Sequence, residues 1–137
     1  MSPDLALQKA LGARLAASAE VTALVTATSI LDRNERPVPV PSIILGETQV
    51  LDEETSMARA HQRVFHTVHV WNREEATDGV KAICWAVRRA VHSGRLALEG
   101  GFFCADLRVQ DIRILRDPDG VTAHGVVTIN ALISGAA

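Results

Sequence analysis

A chain of 137 residues with 47% hydrophobic but only 4% aromatic content can bury an aliphatic core without disulfides, and one domain over residues 1–137 is expected. Its net charge of −2 and sequence pI of about 6.2 exclude a global pull toward nucleic acid or an anionic membrane but leave room for a local basic patch. No run approaches the ~18 apolar residues of a membrane span, and the basic and apolar regions of a signal peptide are missing, so a bacterial cytoplasm is the expected place of synthesis.

Along the chain, Ser2 before Pro3-Asp4 marks a helix start, with Ser as cap and Pro at the first helical position. Leu7, Leu11 and Leu15, with Ala6 and Ala10, give that helix one face to bury. A short turn from Val21 to Val25 extends or kinks it. From Thr26 to Pro41, Asn34-Glu35-Arg36 and the prolines at 37, 39 and 41 predict a loop, extended before each proline.

Ser42 to Leu51 is rich in Ile, Val and Thr and reads as a strand; His61 to Asn72 reads as its partner. The charged stretch Asp52 to Arg59 between them lacks Gly and Pro, which predicts a long hairpin with its tip in solvent. Asn72 is expected to cap a helix running to about His92, with Glu75 completing a capping box. Val80, Ile83, Cys84, Val87 and Val91 recur at the helical period. Glu74, Glu75 and Asp78 lie early and Arg88 and Arg89 late, which complements the helix dipole, and Gly94 suits a left-handed cap.

Leu96-Ala97-Leu98 and Gly100-Gly101 lead to a third strand, Phe102 to Leu115. Its alternation changes phase: Leu107 and Val109 share one parity, Ile112 and Ile114 the other. A bulge at Gln110-Asp111 would restore a single buried face. Asp117-Pro118-Asp119-Gly120 then has the composition of a tight turn, since Pro pre-sets φ and Gly tolerates its positive values. Beyond it, Val121, Ala123, Gly125, Val127, Ile129, Ala131 and Ile133 fall on one face and Thr122, His124, Thr128 and Asn130 on the other, a half-buried antiparallel strand. The sum is an α+β fold: a four-stranded, mainly antiparallel sheet with two main helices packed on one face. Trp71, Trp85, Phe65, Phe102 and Phe103 are expected as the large pieces of the core.

The residues that carry chemistry elsewhere are not arranged for it here. His66 and His69, three apart in a strand, point to opposite faces, while His61 and His69 are too far apart along it to converge. His124 can approach one of them only if the strands pair suitably, so surface or interface histidines and no metal are expected. Cys84 and Cys104 read as buried thiols. There is no Gly-x-Ser-x-Gly, no phosphate-binding glycine loop, and Glu53 and Glu54 lie where water hydrates them. A stacking platform for RNA needs exposed aromatics interleaved with basic residues on central strands, a pattern absent here. No catalytic or cofactor-binding residue is expected.

Two stretches exceed what a compact monomer needs. The hairpin tip places Asp52, Glu53 and Glu54 on one limb and Arg59 and Arg63 on the other, so neighbouring copies can meet head to tail. The loop with Arg33, Glu35 and Arg36 is the second candidate contact. Charge and exposure are the basis of both assignments.

The run Leu115-Arg116-Asp117-Pro118-Asp119-Gly120-Val121-Thr122-Ala123-His124-Gly125-Val126, with Leu45-Gly46-Glu47 and Val68-His69-Val70-Trp71-Asn72-Arg73 upstream, resembles the tail-completion or tail-terminator family of long-tailed phages and gene transfer agents. The resemblance extends from the helix near Leu5 to about Leu132, and rests on the order and spacing of several segments. It implies a structural virion protein, not an enzyme: a ring, expected as a hexamer, that terminates the tail tube at its head-proximal end and joins it to the head. The implied partners are further copies of the chain, the major tail tube protein and a head-side connector or stopper, with DNA passing through the channel without specific binding. No membrane and no cofactor enter this picture. A head-side adaptor or other minor head–tail joining protein is the alternative reading, and a small cofactor-free enzyme the remote one.

Overall fold

The computed structural model describes residues 1–32 and 40–135. Helix α1 (Pro3–Ala17) begins at Ser2 with Pro3 in its first turn and breaks at Ser18, whose hydroxyl accepts the Val21 N–H and caps the short α2 (Ala19–Thr22). A 3-10 turn over Ala27–Ser29 leads to β1 (Ile30–Leu31), followed by β2 (Ser42–Asp52), β3 (His61–Arg73), α3 (Asp78–Val91), β4 (Phe103–Arg116) and β5 (Thr122–Ser134). The sheet order is β1-β2-β3-β5-β4. All pairings are antiparallel except β1 on β2, where Ile30 and Leu31 lie beside Ile43 and Ile44.

The α+β architecture is as expected, with five strands in place of four. The added strand is two residues long and sits inside the stretch expected to be wholly loop; two residues carry no period to detect.

Both main helices cover one face of the sheet. The helix α1 contributes Leu7, Leu11 and Leu15, all fully buried, and α3 contributes Val80, Ile83, Cys84 and Val87. They meet Val64, Val68 and Val70 of β3 and Val127, Ile129, Ala131 and Ile133 of β5. Each such Val, Leu or Ile side chain gains about 1.5–3 kcal/mol from leaving water. Gly125 lets α3 sit down on β5, because a Cβ there would collide with Cys84 Sγ and press on Val80. The Arg14 guanidinium donates to the carbonyls of Gly94 at 2.6 Å and Arg95 at 2.8 Å, tying α1 to the loop after α3.

The aromatic expectation is corrected: Phe102 is buried, but Phe65 and Trp71 are half-buried, and Trp85 and Phe103 are 47% and 46% exposed. Aliphatic side chains from two helices already fill the space above the sheet.

The start of α3 is also corrected. Asn72 and Glu75 form no capping box, because β3 continues to Arg73 and the helix begins only at Asp78. Glu74 supplies the cap instead. Its carboxylate accepts the N–H groups of Gly79 at 3.0 Å and Val80 at 2.9 Å, together with the Asn72 amide.

Strand β4 bulges where its phase changes. Val109 faces Ile129 and Asp111 faces Thr128, so Gln110 is the extra residue; a second shift lies between Cys104 and Asp106. The β4–β5 turn closes as its composition predicts. Gly120 N–H donates to the Asp117 carbonyl at 3.0 Å with φ +77°, and Asp119 Oδ1 accepts the N–H groups of Val121 and Thr122 at 2.9 Å.

Candidate functional site

The β2–β3 hairpin tip is polar and ordered by its own bonds. Asp52 Oδ1 accepts the Glu54 N–H at 2.8 Å, Thr55 Oγ1 meets His61 Nδ1 at 2.9 Å, and the Ala60 carbonyl accepts the Gly135 N–H at 3.0 Å. Glu54 and Arg59 both adopt left-handed backbone, φ +61° and +55°. Non-glycine residues take up that conformation at a cost that the surrounding structure must offset, of order 1 kcal/mol or more each.

The charges proposed to meet between copies already meet within the hairpin. Arg59 pairs with Asp52 at 3.3 Å and Arg63 with Glu53 at 3.1 Å. Arg63 is also drawn inward: its Nη1 donates to Asn130 Oδ1 at 2.8 Å, and Asn130 Nδ2 donates to Gln110 Oε1 at 3.0 Å. A polar line thus runs from Glu53, just past the end of β2, through Arg63 of β3 and Asn130 of β5 to Gln110 of β4, on the face without helices. It satisfies the buried Asn130 and uses the bulge residue of β4. Glu54 stays exposed at the tip. Arg33, Glu35 and Arg36 lie outside the described residues.

The same helix-free face carries a second polar chain. Glu47 Oε1 meets His69 Nε2 at 2.8 Å, and His69 Nδ1 meets His124 Nε2 at 2.9 Å. An ionised carboxylate only accepts, so His69 Nε2 carries the hydrogen of the bond to Glu47. The bond to His69 holds the Glu47 carboxyl below the usual range. His124 stacks on Trp71 with ring centroids 3.8 Å apart. The approach of His124 to His69 depends on the β3–β5 register, which pairs Trp71 with His124 and His69 with Val126. Among the described residues no group of three or more His, Cys, Asp or Glu is placed to hold a metal ion.

His66 points to the opposite face and is fully buried. Desolvation pushes its pKa below the ordinary histidine value; carbonyls of Thr67 and Glu47 oppose that without closing a hydrogen bond to either ring nitrogen. Cys84 is buried as expected, and desolvation pushes its thiol up to about 12, so it is a packing residue and not a nucleophile near neutral pH. No described helix is long and apolar enough to cross a membrane.

Compared with known proteins, residues 9–134 match the family model described as tail completion protein gp17. A chain in the virion of a native gene transfer agent particle has the same fold, with TM-score 0.84 and 23% identity, covering 96% of this chain and 97% of that one. The gp17 protein of bacteriophage SPP1 is similar at TM-score 0.61 and 23% identity, covering 93% and 88% of the two chains. No curated protein matches.

Proposed function

The chain belongs to the tail completion protein gp17 family, and from that premise we propose that it assembles as a ring, a hexamer, at the head-proximal end of a phage-type tail. The ring ends growth of the tail tube and offers its other face to a head-side connector or stopper. Its action is binding, without catalysis. One face continues the packing of the major tail tube protein, while the opposite face lacks the template for another layer of tube. The likeness to a chain of a gene transfer agent virion supports a place in a particle of that kind, and we assign its assembly to the bacterial cytoplasm.

The observation that carries the reading is the hairpin tip. Two non-glycine residues in left-handed backbone, Glu54 and Arg59, are both held by the Asp52 carboxylate, which accepts the Glu54 N–H and pairs with the Arg59 guanidinium, in a lobe beyond the last sheet pairing. A lobe kept ordered at a conformational cost fits a contact surface better than a passive connection. We assign Asp52, Glu53, Glu54, Arg59 and Arg63 to the contact between neighbouring copies, and Arg33, Glu35 and Arg36 to the tube or connector. DNA passes through the ring without specific binding, consistent with the absence of any global excess of cations.

The reading is tested by adding purified protein to polymerising tail tube protein and measuring tube lengths by electron microscopy. Tubes capped at one end and shorter than those grown without it support termination. Unchanged lengths with no density at the tube end refute it.

A further inference from the structure

Helix α3 presents an exposed aromatic among cations. From Gly79 to Leu98 there is no acidic residue, whereas Lys81, Arg88, Arg89 and Arg95 are all basic. The Glu20 carboxylate pairs with Arg89. Lys81 lies one turn before Trp85, and the Arg88 guanidinium sits 5.0 Å from the centre of the Trp85 ring. Trp85 projects away from the packed face of α3. An exposed tryptophan flanked by arginine and lysine is the composition of an interface anchor, whose large area is well placed to leave water on binding.

A seat with the complementary character lies elsewhere on the same molecule, where the β4–β5 turn meets the end of β3. A depression of about 300 Å³ there is lined by Trp71, Leu115, Pro118 and His124, with Arg116 and Asp117 also contributing. Leu115 is exposed. Beside it, a second depression of about 220 Å³ includes Glu74 and Glu75. The seat is apolar in its floor, and at its border the exposed Glu75 is the acid open to a cation from outside, since Glu74 caps α3 and Arg116 donates to the Glu75 carbonyl.

We propose that Trp85 of one copy docks into the Trp71–Leu115–Pro118 depression of the next, with Lys81 directed to Glu75. The two surfaces differ and lie on different parts of the fold, so the contact is heterologous: each copy donates an anchor and offers a seat. Repetition closes into a ring when the rotation between copies permits. The occupant is thus a second copy of this chain, selected by charge complementarity as well as by shape. The inference rests on the ring reading above and adds a specific contact to it, alongside the hairpin tip.

Cysteines placed at exposed Ala82, on α3 beside Trp85, and at exposed Pro118, in the seat, test it in assembled particles. Under oxidation the double variant A82C/P118C should give a ladder of disulfide-linked copies, and neither single variant should. Intact particles with a ring of this protein but no ladder overturn the contact and leave the ring reading in place. A single copy per particle overturns the ring reading itself. Charge exchange supplies a second readout independent of cysteine geometry. Lys81→Glu and Glu75→Lys should each reduce tailed particles at least tenfold, with melting temperatures unchanged, and the double exchange should restore most of the yield. Singles without effect, or a double no better than either single, refute the pairing.

Discussion

Arg63 donates to the side chain of the buried Asn130 at 2.8 Å, joining the root of the hairpin to the centre of β5. The bond gives Arg63 a structural task besides any contact it makes with a neighbouring copy. Arg63→Met should therefore lower stability by about 1–3 kcal/mol, because Asn130 loses a partner in a place water does not reach. Urea denaturation measures this, and an unchanged midpoint contradicts the network. For the same reason Arg59→Glu is the cleaner test of the hairpin tip in assembly: Arg59 is more exposed and bonds only locally.

The Glu74 carboxylate takes the place of a conventional cap at the start of α3. Glu74→Ala should cost about 0.5–2 kcal/mol, the range for a lost helix cap. Desolvation pushes its pKa up, but the hydrogen bonds from the Asn72 amide and from the Gly79 and Val80 N–H groups together hold it below the ordinary value. Its contribution is therefore present at neutral pH and lost as acid protonates it in the folded state. Thermal melts of wild type and variant should converge below the ordinary carboxylate range.

Contact between Gly125 and Cys84 sets the spacing of α3 over β5. Gly125→Ala should destabilise the chain by about 1–3 kcal/mol through overpacking. Cys84→Ala removes the obstructing sulfur, so the double variant should lose less than the sum of the singles. Strict additivity in a denaturation cycle would show that the two sites do not share this space.

His66 should make stability depend on pH. Its folded pKa is depressed by burial while the unfolded chain titrates near about 6.5. Above that value both states are neutral and the full stability is present. As pH falls below it the unfolded chain binds a proton that the folded chain resists, and stability declines until the folded pKa is passed. Denaturation between pH 7.5 and about 5 should therefore show a falling midpoint, and His66→Leu should flatten that slope. A variant with the wild-type slope would assign it to other groups.

Long elements were legible in the sequence because each had a local physical signal. The apolar period marked α3, strict alternation marked β5, and Asp117-Pro118-Asp119-Gly120 marked the turn. Even the Gln110 bulge appeared as a change of phase. The parts missed are relations between distant residues or pieces too short to have a period. Ile30 and Leu31 become a strand only because β2 lies beside them. Glu74 reaches backbone groups five and six residues on, beyond the spacing of a capping box. The Arg63–Asn130 bond requires the β3–β5 register, and so does the meeting of His69 with His124. The tip charges were identified from composition, but their pairing within one hairpin needed the turn's left-handed residues, which composition does not reveal.

The most direct test of tail termination is electron microscopy of particles from a producer strain lacking this gene. Overlong, headless tubes beside DNA-filled heads are the predicted result. Tubes of normal length that fail to join heads would move the protein to the connector, and intact particles that still deliver DNA would contradict the assembly role.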